Sequence, residues 1–422
     1  MMNCINKRLC IPIFATLVLV GTVPAHADDA VTDWNAIMQT TVSSSNAVVQ
    51  NRSAAIVQMA VFEAVNAIVR DYEPYLGTIV APPWASPQAA AIAAAHRTLV
   101  ALYPGSAPAN DALRDASLAA IPDGPAKEAG IAVGEAAADA MLALRANDGS
   151  GAIVPYTPGN KPGDWQRTPP AFAPALLPGW GQVTPFGLQE GSQFRSPPPP
   201  AINTPKYATD YNEVKLLGRV DSIFRPLDRT NVARFYALTS PVQTWNPAAR
   251  QASAAQGKTL SENARLFALL GMALCDGSIA VFETKYHYNR WRPLTAIRAG
   301  DIDGNKNTLP DMTWLPVIVT PPFPSYPSAH ASVSGAARAV LERAFGKHGH
   351  AITLTHPLLP GVVLNYTAWE QITDDIDDAR IYGGVHFRFE QEAGARQGRD
   401  VGKYILRHYL RSVHDDDDCD DE

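Results

Sequence analysis

Three short stretches carry the side chains best suited to chemistry. In "ETKYHYNRWRPLTAIR" (283–298), Lys285 and Arg292 stand seven apart among Tyr286, Tyr288 and Trp291. On a continuous helix that spacing puts two cations two turns apart on one face, with Pro293 ending the helix right after Arg292. Basic side chains among aromatics are drawn into partial burial, and a buried cation needs a counter-anion. "FPSYPSAHASVSGAARAV" (323–340) is a turn that becomes a helix. Pro324 and Pro327 stop any earlier element, Ser328 sits at the N-cap, and His330 lies in the first turn. In "DDARIYGGVHFRFEQEAGARQ" (377–397), Gly383 and Gly384 allow a sharp turn between Arg380 and His386, which places His386 at the start of the next helix. Together Lys285, Arg292 and Arg380 supply three cationic donors. Ser328 adds a hydroxyl, and the helix opening at Ala329 adds backbone N–H groups. That set can hold a tetrahedral oxyanion such as phosphate or vanadate, leaving His330 and His386 for chemistry.

Taken singly, each residue also has a plainer role. Lys285 fits a solvated basic face, His386 a structural histidine, and Phe323 core packing. Asp276, nine before Lys285, reads as a helix-face carboxylate. His96, His287, His348, His350, His356 and His408 show no partner at metal-ligand spacing. No HExxH, Cys-x-x-Cys or Gly-rich phosphate loop is present.

The elements that must position these residues are helical. Residues 46–69, 86–103 and 125–147 carry apolar side chains three and four apart, the last two rich in alanine. Helices resume at 208–218, 229–239, most of 260–290, 329–346 and 387–411. Between them, 148–205 is punctuated by Gly, Pro and Trp and ends in "SPPPPAINTP", which reads as a long surface connection, partly polyproline II. No segment alternates with period two for long enough to make a major sheet, so the fold class is all-α, built of helical bundles.

Composition narrows the partners. The 422 residues carry a formal charge of −6, which disfavours a nucleic-acid partner held by bulk charge. Lys7 and Arg8, the apolar "IFATLVLVGTV" and the small-x-small Ala25-His26-Ala27 read as a secretion signal. Its loss would remove Lys7 and Arg8, taking the charge to −8, and leave no stable membrane anchor and a secreted or periplasmic protein. Cys275 and Cys419 would remain, far apart, with Cys275 a buried thiol in an apolar helix. The tail "HDDDDCDDE" reads as a solvated charge run. "TDDIDDAR" (373–380) is similarly acidic but lacks the Gly and spacing of an EF-hand calcium loop.

The three stretches resemble the signature shared by vanadium-dependent haloperoxidases and type 2 phosphatidic acid phosphatases: Lys, six residues, Arg-Pro; Pro-Ser-Gly-His; and Ser-Arg, five residues, His, three residues, Asp. Here these are Lys285 with Arg292-Pro293, Pro327-Ser328-Ala329-His330, and Arg380 with His386, in the same order and spacing. The text around them, with "VFEAVNAI" and "QFRSPPPPAI" upstream, resembles the secreted haloperoxidase-type members. Three positions depart: Ala329 stands for Gly, Ala379 for Ser and Glu390 for Asp. Glu390, one turn past His386, can accept the imidazole N–H and fix its tautomer, or be an exposed helix charge.

The chain thus divides into a signal peptide (1–27), an N-terminal helical region (28–147), the Pro/Gly-rich connection (148–205), a helical bundle (206–413) that the resemblance makes catalytic, and the acidic tail (414–422). The resemblance implies vanadate bound through His386, His330 as acid–base partner, Lys285 polarising bound peroxide, and Phe323 at a halide pocket. The substrates would be hydrogen peroxide and halide. In the phosphatase alternative no vanadate is needed: His386 attacks the phosphorus of a phosphate ester and His330 protonates the leaving alcohol. A non-catalytic anion-binding protein is the third reading.

Overall fold

The computed structural model describes residues 29–414, so the secretion signal and the acidic run from 415 lie outside the described residues. The N-terminal half holds α1 (Ala30–Val42), α2 (Ala47–Val69), α3 (Pro87–Leu102), α4 (Ala107–Ala119) and α5 (Pro125–Arg145). After a stretch without α-helix come α6 (Pro205–Leu217), α7 (Leu227–Leu238), α8 (Pro241–Gln256), α9 (Leu260–Tyr288) and the short α10 (Pro293–Arg298). Then follow α11 (Ala329–Phe345), an antiparallel hairpin of β1 (His348–Thr355) and β2 (Val363–Ala368), α12 (Trp369–Tyr382) and α13 (Arg388–His408). The termini are chemically marked. Asn46, Ser86, Thr204 and Ser328 accept first-turn N–H groups, while Ser240 and Thr259 form reciprocal capping boxes with Gln243 and Glu262.

One apolar cluster runs from Val31 on α1 to Leu410 after α13. At its centre lie α2 and α9, each long and apolar enough to cross a membrane yet buried inside the protein. Gly271 lets them touch, since a Cβ there would meet the Ala55 Cα at 3.0 Å. Cys275 is buried here, its thiol pushed up by desolvation.

Three expectations change. The 148–205 stretch is not only surface: Trp165, Trp180 and Phe186 are buried. Asp276 is the reason for part of this. Its buried carboxylate accepts the backbone N–H groups of Phe186, Gly187 and Leu188 at 2.7, 2.6 and 3.0 Å, pinning the irregular chain to α9. It orients a loop rather than facing solvent from a helix. The acidic 373–380 stretch lies within α12, whose Trp369, Ile372, Ile376 and Ala379 are buried on one side. Helices α1, α4, α8 and the hairpin were not legible as elements. In β1 only His350, Ile352 and Leu354 alternate into the core, too short a run to signal a strand.

The packing of α11 on α13 sets the site. A Cβ at Gly394, Gly398 or Gly402 would meet the carbonyl oxygens of Ser328, Ser332 and Ala336 at 2.5, 1.8 and 2.6 Å. These three glycines, four apart on α13, let the α11 backbone lie directly against it. Gly398→Ala is expected to cost roughly 3 kcal/mol by overpacking, visible as a lower Tm in thermal unfolding. An unchanged Tm would mean the helices do not sit this close.

Candidate active site

Helix α9 ends sooner than the spacing suggested. Asn289 is left-handed (φ 50°) and caps it, so Lys285 lies in its last turn. Arg292 lies beyond, at the N-cap of α10 with Pro293 inside that helix. The two cations therefore do not share a helix face. They meet over the Phe323 ring, with the Arg292 Cζ 4.8 Å and the Lys285 Nζ 5.2 Å from its centroid. Phe323 thus supports the cations as a partly buried wall.

Lys285 is wholly buried and its donors are spoken for. Nζ donates to the carbonyls of Pro324, Ser325 and Pro327 at 3.1, 2.7 and 2.5 Å. It therefore holds the turn that carries Ser325 and Ser328, and its charge, rather than a free N–H, faces the site. Desolvation first, and then the Arg292 charge, holds its pKa well below the usual lysine range.

Ser328 caps α11, accepting from the Ala331 N–H at 3.4 Å. Its own N–H donates to the Glu390 carbonyl at 2.9 Å, so the start of α11 is tied to the start of α13. The first-turn N–H groups of Ala329 and His330 precede the helix's internal bonds and remain available.

Gly384, at φ 78° and with no room for a Cβ against the Gly218 carbonyl (2.5 Å), makes the turn that presents His386. His386 lies just outside α13, whose N-cap is Phe387, rather than starting it. The reason is Glu390. Its Oε2 accepts the Phe387 N–H at 3.1 Å, the Ser325 hydroxyl at 2.7 Å and the His386 Nδ1–H at 2.6 Å. Glu390 is fully buried, not an exposed helix charge. The carboxylate keeps the proton on Nδ1 and the lone pair on Nε2, which lies 3.1 Å from Arg292 Nη1. Ser325 escaped the sequence reading because its partner lies 65 residues away, beyond any local spacing.

Arg380, in the last turn of α12, is buried beside Ala379, which offers no hydroxyl. Its Nε and Nη1, together with Arg292 Nη2, are buried without an acceptor. Such donors cost about 1–3 kcal/mol each if left unmet. Burial lowers Arg292 to about 10 and Arg380 to about 9, and raises Glu390 to about 7. His386 and His330 are both held well below the usual imidazole value, by desolvation first and then by the Arg292 and Arg380 charges respectively. His330 is half-buried in the first turn of α11. Three unmet guanidinium donors, a helix N-terminus and an imidazole lone pair fit a tetrahedral oxyanion such as vanadate or phosphate.

Arg380→Ala removes two of the three unmet donors. It is expected to weaken inorganic phosphate or vanadate binding about a hundredfold, by titration calorimetry. Equal affinity in the variant would move the anion elsewhere.

The family model described as the VCPO second helical-bundle domain matches residues 265–415, a span containing every residue from Lys285 to Glu390. The part of the chain that carries the site is thus similar to a helical-bundle domain of the vanadium haloperoxidases. Among curated proteins, the vanadium chloroperoxidase of Curvularia inaequalis is 30% identical over a stretch covering 31% of this chain and 28% of that one. The match to this haloperoxidase thus spans under a third of its length. Solved haloperoxidase structures match far more of the chain. The first bacterial vanadium-dependent iodoperoxidase aligns with a TM-score of 0.77 at 25% identity, covering 90% of this chain and 97% of that one. The holo-type bacterial vanadium-dependent chloroperoxidase aligns with a TM-score of 0.70 at 17% identity, covering 86% and 92%, a likeness of fold. The mostly helical architecture is therefore that of the vanadium haloperoxidases, N-terminal half included.

Proposed function

We propose that the protein is an exported vanadate-dependent haloperoxidase, taking hydrogen peroxide and a halide as small-molecule substrates. The observation that carries this reading is the convergence of the unmet Arg292 and Arg380 donors with the Nε2 lone pair of His386. The relatives' names supply the vanadium and the halide, and the N-terminal "Ala25-His26-Ala27" pattern supports export.

His386 would hold vanadate through Nε2, with Arg292, Arg380, Ser328 and the N–H groups of Ala329 and His330 around its oxygens. When bound, vanadate would supply the activation of peroxide towards halide, giving a hypohalous acid equivalent. The chain's own residues do the rest. Glu390 fixes the His386 tautomer through Nδ1. Lys285 holds the Ser325–Ser328 turn and adds its field. His330, neutral in the free site, moves protons at the anion's edge. Phe323 walls the cations from solvent and offers an apolar side to a halide.

An arriving anion offsets the cationic field that, after desolvation, holds both histidines low. Their folded pKa values then rise, so binding takes up protons and tightens as pH falls. Sulfate, whose charge is constant over that range, is expected to bind several-fold more tightly at pH 6 than at pH 8. Calorimetry in buffers of different ionisation enthalpy should report proton uptake.

The phosphatase reading draws on one observation, the Glu390–His386 pair, which equips Nε2 as a nucleophile towards phosphorus. His330 would then protonate the leaving alcohol, and Arg292 and Arg380 would stabilise the transition state. Protein purified from periplasm or medium, loaded with vanadate and assayed for peroxide-dependent bromination and iodination, tests the first reading. A chromogenic phosphate ester without vanadate tests the second. Anion binding with neither turnover would leave the non-catalytic binder and overturn both.

A further inference from the structure

Ser325 belongs to no helix or strand, yet it is held from three directions. It lies in the turn before α11 and is wholly buried. Its N–H donates to the Arg290 carbonyl at 2.8 Å, and its carbonyl accepts from Lys285 Nζ at 2.7 Å. The third hold is its side chain. The hydroxyl donates its single proton to Glu390 Oε2 at 2.7 Å, and the same oxygen lies 3.4 Å from His386 Nδ1. With the His386–Glu390 bond at 2.6 Å, these contacts close a triangle. Because the serine proton is spent on the carboxylate, Oγ can face Nδ1 only with a lone pair. It therefore favours the same proton position on the imidazole as Glu390 does.

The carboxylate itself is unevenly held. Oε2 takes three donors, while Oε1 is buried with no partner. Two of the three donors, the His386 Nδ1–H and the Phe387 N–H, come from the turn that Glu390 itself closes. Those bonds tie the carboxylate to the imidazole, but not the pair to the rest of the site. Among the described residues, the Ser325 hydroxyl is the one donor that reaches this carboxylate from outside residues 386–390. The origin of that hydroxyl is fixed by Lys285 and Arg290, in the same stretch that carries Arg292. A rigid line thus runs from the cation-bearing segment through Ser325 to the carboxylate behind His386. Glutamate also has one rotatable bond more than the aspartate of the resembled signature, so its carboxylate needs an outside hold more than a shorter one would.

We propose that Ser325 is a positioning residue for His386: its hydroxyl ties the Glu390–His386 pair to the segment of Lys285 and Arg292, and so fixes where the Nε2 lone pair points relative to the anion donors. This rests on His386 being the bond-forming group of the proposed function, but the hydroxyl itself touches neither anion nor substrate.

Ser325→Ala removes one oxygen and keeps both backbone bonds. The first readout is the ring ¹⁵N spectrum of His386 in anion-free protein, assigned by its loss in His386→Ala. Wild type should show one protonated and one lone-pair nitrogen, widely separated. Ser325→Ala should draw the two signals together by tautomer exchange. Turnover should fall about tenfold in kcat with KM little changed. Phosphate affinity by calorimetry should stay within about threefold, because the Arg292 and Arg380 donors are untouched. Ser325→Cys, a weaker donor of similar shape, should fall between the two and serves if the alanine variant folds poorly. In a Glu390→Ala background the hydroxyl has no carboxylate to hold. Adding Ser325→Ala there should change neither spectrum nor rate by more than about twofold. An unchanged His386 spectrum in a variant with lowered Tm would make the hydroxyl a structural tie and overturn the proposal. So would a rate loss as large without the carboxylate as with it. If wild type shows no turnover, the function proposed above fails, yet the His386 spectrum still decides this inference.

Discussion

His386→Ala is expected to abolish turnover in either chemistry while leaving a site that still binds phosphate. In the proposed site it is His386, with Nδ1 held by Glu390 and Nε2 beside Arg292, that would bond vanadium or attack phosphorus. The electrostatic hold is separate. It comes from Arg292 and Arg380, whose unmet donors stay in the variant, and from the start of α11. Deleting the ring also removes a neutral neighbour, not a charge, so the cationic field persists. Phosphate affinity should therefore fall far less than in Arg380→Ala, within about tenfold, while the bromination or ester-hydrolysis rate drops to background. Calorimetry and turnover measured on one preparation check both halves. Residual turnover above a few per cent of wild type would mean the central atom is held by another group.

That division between the bond-forming ring and the charge that holds the anion also marks what the sequence could reveal. Charged groups were legible because their types are rare in apolar surroundings: Lys285 and Arg292 among aromatics, and Arg380 before a Gly-Gly turn. Caps were legible because one residue makes them, as Ser328 does. What could not be read is how the donors are spent. Lys285 looks like a free cation in sequence, yet three carbonyls of one turn consume its N–H groups, a fact of backbone direction. Ser325 meets its partners His386 and Glu390 across 61 and 65 residues, where no periodicity connects them. The long helices were visible for the opposite reason, since their apolar spacing repeats within the element. Helix α12 hid behind its acidic face, because Asp375 and Asp378 look solvated until Arg229 and Arg388 are seen beside them.

Glu390 is where a single atom carries most of the geometry, and Glu390→Gln is expected to lower turnover between about 10² and 10⁴-fold. Oε2 of Glu390 accepts three donors at once: Nδ1–H of His386, the Ser325 hydroxyl and the Phe387 N–H. An amide oxygen can still accept them, but more weakly. If the amide turns, its NH₂ faces Nδ1, the proton moves to Nε2, and the lone pair needed at the anion is lost. The pH dependence separates this from simple destabilisation. Burial raises the Glu390 carboxyl to about 7. Below that value it protonates and can itself donate to Nδ1, so wild-type turnover should climb with pH through a midpoint near 7. In Glu390→Gln that limb should vanish and the low rate stay flat. Stability runs the other way. A carboxyl whose folded value lies above its unfolded 4.5 binds protons more readily when folded, so its contribution is fully present below 4.5 and lost as pH rises to about 7. The glutamine variant has no such loss. Its anion-free Tm should therefore improve relative to wild type from pH 5 to pH 8, while its turnover stays low throughout. A Tm difference independent of pH, with the ascending limb intact, would show that Glu390 does not set the state of His386.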